Sequence, residues 1–204
     1  LTNQSHPAFC DVPSLRAEYG ADLVVLMRPY ADDGYCGLAW IGGSGIEGDF
    51  SHSSEADFGY SLVSIDCSTN ILAHELGHNM GLHHSRKQNA SGGTFDYALG
   101  YGVDNDFVTV MAYSSEFSAR KINLFSNPSL ICGSKKCGVT RSNTEGSDAA
   151  YTLNVVAPQI ANYFSESVAV ADTWANGPFD SDGNGTSDVI LQHLSGDWRL
   201  NTMD

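Results

Sequence analysis

Residues 74–84 read HELGHNMGLHH, and they hold four of the seven histidines in the chain. An α-helix advances about 100° per residue, so His74 and His78 lie on one face, one turn apart. Gly81 can adopt a backbone conformation closed to other residues and can turn the chain so that His84 returns as a third ligand. Three imidazoles plus one water are typical of catalytic zinc, whereas structural zinc sites use four protein ligands.

Glu75 follows the first of these histidines, where its carboxylate can reach a metal-held water instead of the metal. Zinc lowers the pKa of such a water from about 16 to about 7, and Glu75 can accept its proton and pass it to a leaving amine. The motif therefore predicts peptide-bond hydrolysis with Glu75 as general base and acid. A chance cluster of histidines is the alternative, and the full eleven-residue spacing argues against it. His83 lies outside the ligand spacing.

Length and charge limit the class of protein. With 204 residues, 42% of them hydrophobic, the chain can form one buried core, or one domain plus a fragment of another. Its 24 acidic and 10 basic side chains give a net charge of -14, which repels nucleic acid and anionic membranes. Its longest apolar run, at 23–27, is far shorter than the roughly 18 residues that cross a bilayer. We expect no nucleic-acid partner and no membrane insertion, and residue 1 opens on no signal pattern, as in a processed secreted chain.

Five cysteines at irregular spacing, with no CxxC pair, favour disulfides in an exported protein. We predict a bond between Cys36 and Cys67, just before the histidine motif, and a bond between Cys132 and Cys137. By chain entropy the longer loop contributes nearly 4 kcal/mol and the shorter about 2 kcal/mol. Two roles stay open for Cys10: a bond to a segment outside this chain, or a cap on zinc in a latent form. The predicted location is extracellular.

Hydrophobic patterning predicts three strands and two long helices. The strands are placed at 21–27, 36–43 and 60–66. The first helix is predicted to begin at Ser68 or Thr69, both good N-caps, and to end at Gly81. The second is predicted at 147–164, where apolar residues recur at helical spacing. The composition changes after Ser165.

The motif HExxHxxGxxH followed by a methionine-containing turn is the signature of metzincin metalloproteases. Residues 110–113, VMAY, supply that turn. The segments GADLVVL, CGLAWIGG, RKINLFSNP and APQIANYF make residues 15–165 resemble the reprolysin or adamalysin-like branch, most of all its bacterial secreted members. The resemblance implies an α/β (α+β) metzincin, or zincin-like, fold: a mixed twisted sheet in a five-stranded N-terminal subdomain, an active-site helix, and a C-terminal subdomain with its own helix after Gly81. It assigns residues 1–165 to one catalytic domain. Only 73 residues precede His74, fewer than the full subdomain needs, so three alternatives stay open for its first strand and helix: absent, cleaved off or on another chain.

The resemblance also implies roles for residues outside the histidine motif. Met111 would form an apolar floor beneath the zinc. Tyr113 would ligate the zinc and swing to the oxyanion, and a simple packing role stays equally open. An edge strand beside the cleft would add an extended peptide through main-chain hydrogen bonds. That strand comprises Gly37, Leu38, Ala39, Trp40 and Ile41.

The same resemblance predicts that residues 114–124 shape the pocket for the residue that follows the scissile bond. Phe117 and Ile122 suggest an apolar pocket, although both suit an ordinary core position equally well. Ser85 stands where reprolysins commonly carry aspartate, which leaves the subfamily open.

The acidic segment near the C-terminus is assigned to a separate unit. We place a linker at 166–175 and, at 176–204, a partial repeat that resembles the calcium-binding FG-GAP or VCBS propeller type. An EF-hand would need glutamate where Leu191 stands, so that site is disfavoured. A flexible acidic linker is the alternative. The candidate calcium ligands are Asp180, Asp182, Asn184, Thr186 and Asp188.

Taken together, the motifs predict a secreted zinc endopeptidase that acts on protein or peptide substrates, with Zn²⁺ as catalytic cofactor, Ca²⁺ as structural cofactor and a propeptide as a further partner. The alternative is an adhesion or binding module built on a metalloprotease fold that has lost catalysis. The presence of Glu75 argues against that alternative, because a fold that has lost catalysis has no chemical need for this carboxylate. A third reading is hydrolysis of a non-peptide amide.

Overall fold

A computed structural model describes residues 9–164 of the chain. The predicted linker at 166–175 and the predicted calcium-binding repeat at 176–204, with its five candidate ligands, lie outside the described residues. Within the described range, no helix is long and apolar enough to cross a membrane.

The N-terminal part is a three-stranded mixed sheet preceded by helix α1 (Val12–Glu18). Its strands are β1 (Val24–Arg28), β2 (Gly37–Ala39) and β3 (Tyr60–Ser64). The central strand β3 runs parallel to β1 and antiparallel to β2, so β2 lies at an edge. The three predicted strands are confirmed with shorter bounds. The expected five-stranded N-terminal subdomain is not confirmed, because the described residues form a sheet of three strands here.

Helix α2 (Ile71–Asn79) packs against β2 and β3 and carries the histidine motif. Its N-cap residue is Asn70, so the predicted start at Ser68 or Thr69 was wrong. Those residues belong to the preceding turn, in which the Ile71 amide donates to the Ser68 carbonyl at 3.0 Å. The predicted bond between Cys36 and Cys67 is confirmed and joins the residue before β2 to this turn.

After α2 the chain forms short strands and two further helices around a second core. Two strands pair in parallel, three form a small sheet, and two form a hairpin that the predicted Cys132–Cys137 bond closes. The strands are β4 (His83–Ser85), β5 (Leu99–Gly100), β6 (Gly102–Val103), β7 (Phe107–Val108), β8 (Arg120–Lys121), β9 (Asn127–Cys132) and β10 (Lys135–Cys137). The helices are α3 (Ser114–Phe117) and α4 (Ala149–Ile160).

Helix α4 packs against two core clusters, one of which contains Met111. Asp148 caps it by accepting from the Tyr151 amide at 3.2 Å, which is a normal N-cap contact. Val156 and Ile160 on one face pack against fully buried Phe50, and Ala149 packs into the cluster around Met111. The second predicted helix is therefore confirmed, within the narrower bounds of α4.

Candidate active site

Three histidine side chains from two different elements meet at one point. The Nε2 atom of His74 lies 3.2 Å from that of His78 and 3.2 Å from that of His84, and the last two are 3.1 Å apart. Two of these residues come from α2 and the third from β4. Among the described residues, this trio is the group of side chains arranged to hold a metal ion.

The backbone fixes which nitrogen of each helical histidine faces the metal position. Nδ1 of His74 lies 2.9 Å from the carbonyl oxygen of Val110, and Nδ1 of His78 lies 2.9 Å from that of Leu82. A carbonyl only accepts, so each Nδ1 carries the proton and each Nε2 presents a lone pair. Two lone pairs at 3.2 Å repel each other, and a cation between them removes that repulsion. The residues therefore fit a bound metal ion.

Burial keeps these imidazoles neutral, which metal binding requires. It lowers the pKa of His74 and of His78 to about 4, and that of His84 to about 3. Neutral imidazole is the form that binds metal, so the trio needs no deprotonation near neutral pH.

Two glycines allow this arrangement. Gly81 has φ +82 and turns the chain directly after α2, which lets β4 bring His84 back to the helix. At Gly77, a Cβ atom would lie 2.7 Å from Sδ of Met111, so glycine lets that fully buried methionine pack directly against α2. Met111 is thus part of the core below the histidine helix.

Glu75 is buried beside the trio, and strand β2 lies against it. Only 5% of Glu75 is exposed, and burial raises the pKa of its carboxyl to about 7. A Cβ atom at Gly37 would lie 2.3 Å from Oε1 of Glu75, so the absence of a side chain at Gly37 leaves room for the carboxylate. No other described residue forms a hydrogen bond with it. A carboxyl with a pKa near neutrality can both accept and release a proton there.

Asn79 connects the histidine helix to the edge strand, a role that the sequence reading missed. Its Nδ2 lies 3.1 Å from the carbonyl oxygen of Trp40, 2.7 Å from that of Phe58 and 3.0 Å from that of Tyr60. The Gly42 amide also donates to the carbonyl of His78 at 3.0 Å. An asparagine inside a helical motif gives no sequence signal for this contact, because its acceptors are distant in the chain.

The predicted edge strand is shorter than expected. Residues 37–39 form β2, whereas Trp40 and Ile41 lie beyond its end. Leu38 is 48% exposed and Trp40 is 51% exposed. Gly37 faces Glu75, whereas the exposed Leu38 lies on the opposite face of the strand.

The ring of Tyr113 lies next to the rings of His84 and His74. Its ring centroid is 4.6 Å from that of His84 and 5.9 Å from that of His74. Its amide donates to Oε1 of Gln88 at 3.0 Å, and its side chain is partly exposed. Burial and the charge of Glu75 raise the pKa of its hydroxyl, which therefore stays protonated as a donor.

Phe117 and Ile122, for which a pocket role and a core role were equally open, pack on core clusters. Phe117 is 7% exposed and packs with Val108 and Ala112, and Ile122 packs against the Cys132–Cys137 disulfide. Between them in sequence, Lys121 turns toward the site and donates from Nζ to the carbonyl oxygen of Val110 at 2.9 Å. The sequence reading missed this cation, since a lone lysine in a short strand usually points into solvent.

The fold and this site together define a metallopeptidase of the metzincin class. Comparison with known families agrees, because the model of the reprolysin-like metallopeptidase family M12B matches residues 2–143. The chain belongs to that family.

Relatives and a solved structure support the assignment. A peptidyl-Asp metalloendopeptidase of Pseudomonas aeruginosa is 38% identical over 170 residues, which cover 74% of this chain and 28% of the relative. A peptidyl-Asp metalloendopeptidase of Xanthomonas campestris pv. campestris is 33% identical over 117 residues, which cover 56% of this chain and 25% of that relative. A chain in a solved chaperone-substrate complex has a TM-score of 0.53 and 25% identity over 76% of this chain and 22% of its own. The chain thus spans about a quarter of the length of these proteins.

Proposed function

We propose that this chain is the catalytic part of a secreted zinc endopeptidase. The observation that carries the proposal is the convergence of three histidine Nε2 atoms within 3.2 Å of one another, beside a buried glutamate. Membership in a metallopeptidase family and two disulfides support the proposal, and the disulfides also favour an exported protein.

In this proposal His74, His78 and His84 hold the zinc ion. Bound zinc supplies Lewis acidity, which polarises the substrate carbonyl and makes water acidic enough to react near neutral pH. Glu75 accepts the proton of the attacking water and delivers it to the leaving amine, so one carboxyl serves both halves of the reaction. Burial suits Glu75 to this exchange, because its raised pKa lies close to neutrality.

The walls of the cleft orient the substrate. We assign Gly37, Leu38, Ala39, Trp40 and Ile41 to substrate binding, because β2 has an edge that pairs with no other described strand. An extended peptide can add to that edge through main-chain hydrogen bonds. We assign Tyr113 as a donor to the carbonyl oxygen under attack, since its ring lies beside His84 and its hydroxyl stays protonated.

The names of the relatives suggest a substrate preference. Each of the relatives described above is a peptidyl-Asp metalloendopeptidase. We propose that this chain likewise cleaves peptide bonds next to aspartate. A propeptide that covers the cleft before secretion, and calcium binding at 176–204, complete the proposal and concern segments outside the described residues.

The test is cleavage of casein by the purified protein, with and without a zinc chelator. We expect cleavage that the chelator abolishes and that added Zn²⁺ restores. The variant Glu75→Ala should bind one zinc ion per chain and cleave nothing, because the ligands remain and the base is gone. Cleavage that the chelator leaves unchanged would rule out the zinc mechanism, and a zinc-loaded wild type without activity would favour the binding-module alternative.

A further inference from the structure

Lys121 is a charged residue at the site that the proposed hydrolysis does not use. Its Nζ lies 2.9 Å from the carbonyl oxygen of Val110, and the same oxygen lies 2.9 Å from Nδ1 of His74. The ammonium group is therefore two hydrogen-bonded contacts from the metal position. Its side chain is half-buried, in β8.

The charge of Lys121 lacks a close anionic partner. No carboxylate of the described residues lies within 4.0 Å of its nitrogen, although other cations in this part of the chain have one, such as Arg141 with Asp148 at 2.7 Å. Glu75 acts on it electrostatically from farther away, and burial lowers the pKa of the ammonium. A half-buried cation that has a single carbonyl contact beside a metal site can still donate to an anion that enters from solvent.

An acidic substrate side chain is an anion of the right kind. An ammonium group with one hydrogen bond to Val110 has two further N–H groups to donate, and a charge-assisted bond to a carboxylate is among the stronger contacts a protein makes. Lys121 Nζ and His74 Nδ1 share the carbonyl oxygen of Val110, which places the ammonium group beside the first metal ligand, and its charge also acts on Glu75. Within the stretch 114–124, Phe117 and Ile122 pack in core clusters, and Leu124 is the exposed large apolar side chain.

Resting on the proposed function, we propose that Lys121 is the specificity-determining residue of the site and binds the side-chain carboxylate of the substrate aspartate. We assign that aspartate to the residue that follows the scissile bond, because Lys121 lies in the stretch 114–124, which the family resemblance places at the pocket for that residue. A substrate with asparagine at that position leaves the ammonium without its anion, and the unmet charge discriminates against it.

A positioning role is the rival explanation. Lys121 could act only by holding the Val110 carbonyl, which in turn orients His74. That role would slow the hydrolysis of every substrate equally, whereas carboxylate binding affects only substrates that carry the carboxylate. The ratio of two substrates therefore separates the two roles.

The experiment compares two peptides that differ only in aspartate or asparagine after the scissile bond. For the wild type, kcat/KM should favour the aspartate peptide. In Lys121→Met this preference should fall by about 10- to 100-fold, the range of a hydrogen bond to a charged group, while the asparagine peptide changes little. Lys121→Arg should keep most of the preference, since the charge remains. Lys136→Met removes an exposed lysine of β10 and should leave the ratio unchanged.

Each outcome has a distinct meaning. Equal losses on both peptides in Lys121→Met would overturn the specificity role and support positioning. A wild type that cleaves both peptides at the same rate would overturn the specificity role and leave the peptidase intact. A zinc-loaded wild type that cleaves neither peptide would overturn both proposals. If Lys121→Met fails to fold, loss of the preference in a folded Lys121→Arg overturns the role of the charge.

Discussion

The metal centre and the edge strand proposed to bind substrate are built in opposite ways. His74 and His78 are buried, and a ring nitrogen of each is held by a backbone carbonyl at 2.9 Å. Along β2, Leu38 and Trp40 are about half exposed at a strand edge that pairs with no other described strand. A metal needs ligands fixed before it binds, whereas a wall for extended peptides must leave its hydrogen bonds available. The site thus combines a preorganised centre with a strand edge that is open to pairing, as the proposed substrate binding requires.

The largest expected effect comes from removing a metal ligand that lies outside the helix. His84→Ala should lower kcat/KM by about 10³-fold or more, because metal contributes several kcal/mol to the transition state and about 1.4 kcal/mol is tenfold. Zinc content by mass spectrometry should fall in parallel. The matched control is His83→Ala, the neighbouring histidine outside the trio, which should keep zinc. Full activity in His84→Ala would contradict the role of His84 as a metal ligand.

The next effect comes from disturbing the contact between the two regions. Gly37→Ala places a Cβ 2.3 Å from Oε1 of Glu75 and should displace the carboxylate. A displacement of about 1 Å costs on the order of 10²-fold in rate, so activity should fall by that amount while zinc stays bound. In Gly34→Ala the added Cβ meets no atom within 4 Å, so this control should lose stability through its φ of +86 and not turnover. Equal activity in Gly37→Ala and Gly34→Ala would show that the close approach of Gly37 to Glu75 does not affect turnover.

A variant of Tyr113 can distinguish a catalytic role of its hydroxyl from a packing role of its ring. Tyr113→Phe keeps the ring that lies 4.6 Å from that of His84 and removes the hydroxyl donor. We expect kcat to fall by about 10- to 100-fold with KM little changed, because a donor to the oxyanion acts in the transition state. An unchanged kcat would leave a packing role for the ring.

The smallest effects on activity come from the two disulfides, which differ in loop length and in distance along the chain from the site. Removing the 31-residue link with Cys36→Ser and Cys67→Ser should lower the unfolding free energy by about 4 kcal/mol, and Cys132→Ser with Cys137→Ser by about 2 kcal/mol. Guanidinium titration measures both. The first pair should also reduce turnover a few-fold, because Cys36 precedes Gly37. Equal stability losses would contradict the loop-length argument.

Local patterns in the sequence predicted the elements that depend on local physics. Helical spacing predicted α2 and α4, and apolar runs predicted β1, β2 and β3. The start of α2 was misplaced because Ser68 and Thr69 are good caps in isolation, while the turn that precedes the helix uses them differently. Both disulfide pairings are confirmed: Cys36 and Cys67 lie beside the predicted strands at 36–43 and 60–66, and Cys132 and Cys137 are five residues apart.

Contacts between distant segments could not be predicted in the same way. Asn79 binds carbonyls 19 to 39 residues away in the chain, and Lys121 reaches Val110 across a loop and a short helix. Phe117 and Ile122 were placed by their hydrophobicity alone, which does not distinguish a pocket wall from a core. Each of these positions depends on packing partners that a linear pattern does not show.

The sequence by itself determined the chemistry of the centre: which histidines share a helix face, which glutamate accompanies them, and where glycine turns the chain. Helix periodicity and backbone freedom are local properties, so eleven residues suffice to encode them. Only the tertiary structure decided how the chain places Gly37, Tyr113 and Lys121 around that centre. Those positions follow from burial and from hydrogen bonds between distant segments, which form only when the whole core is packed.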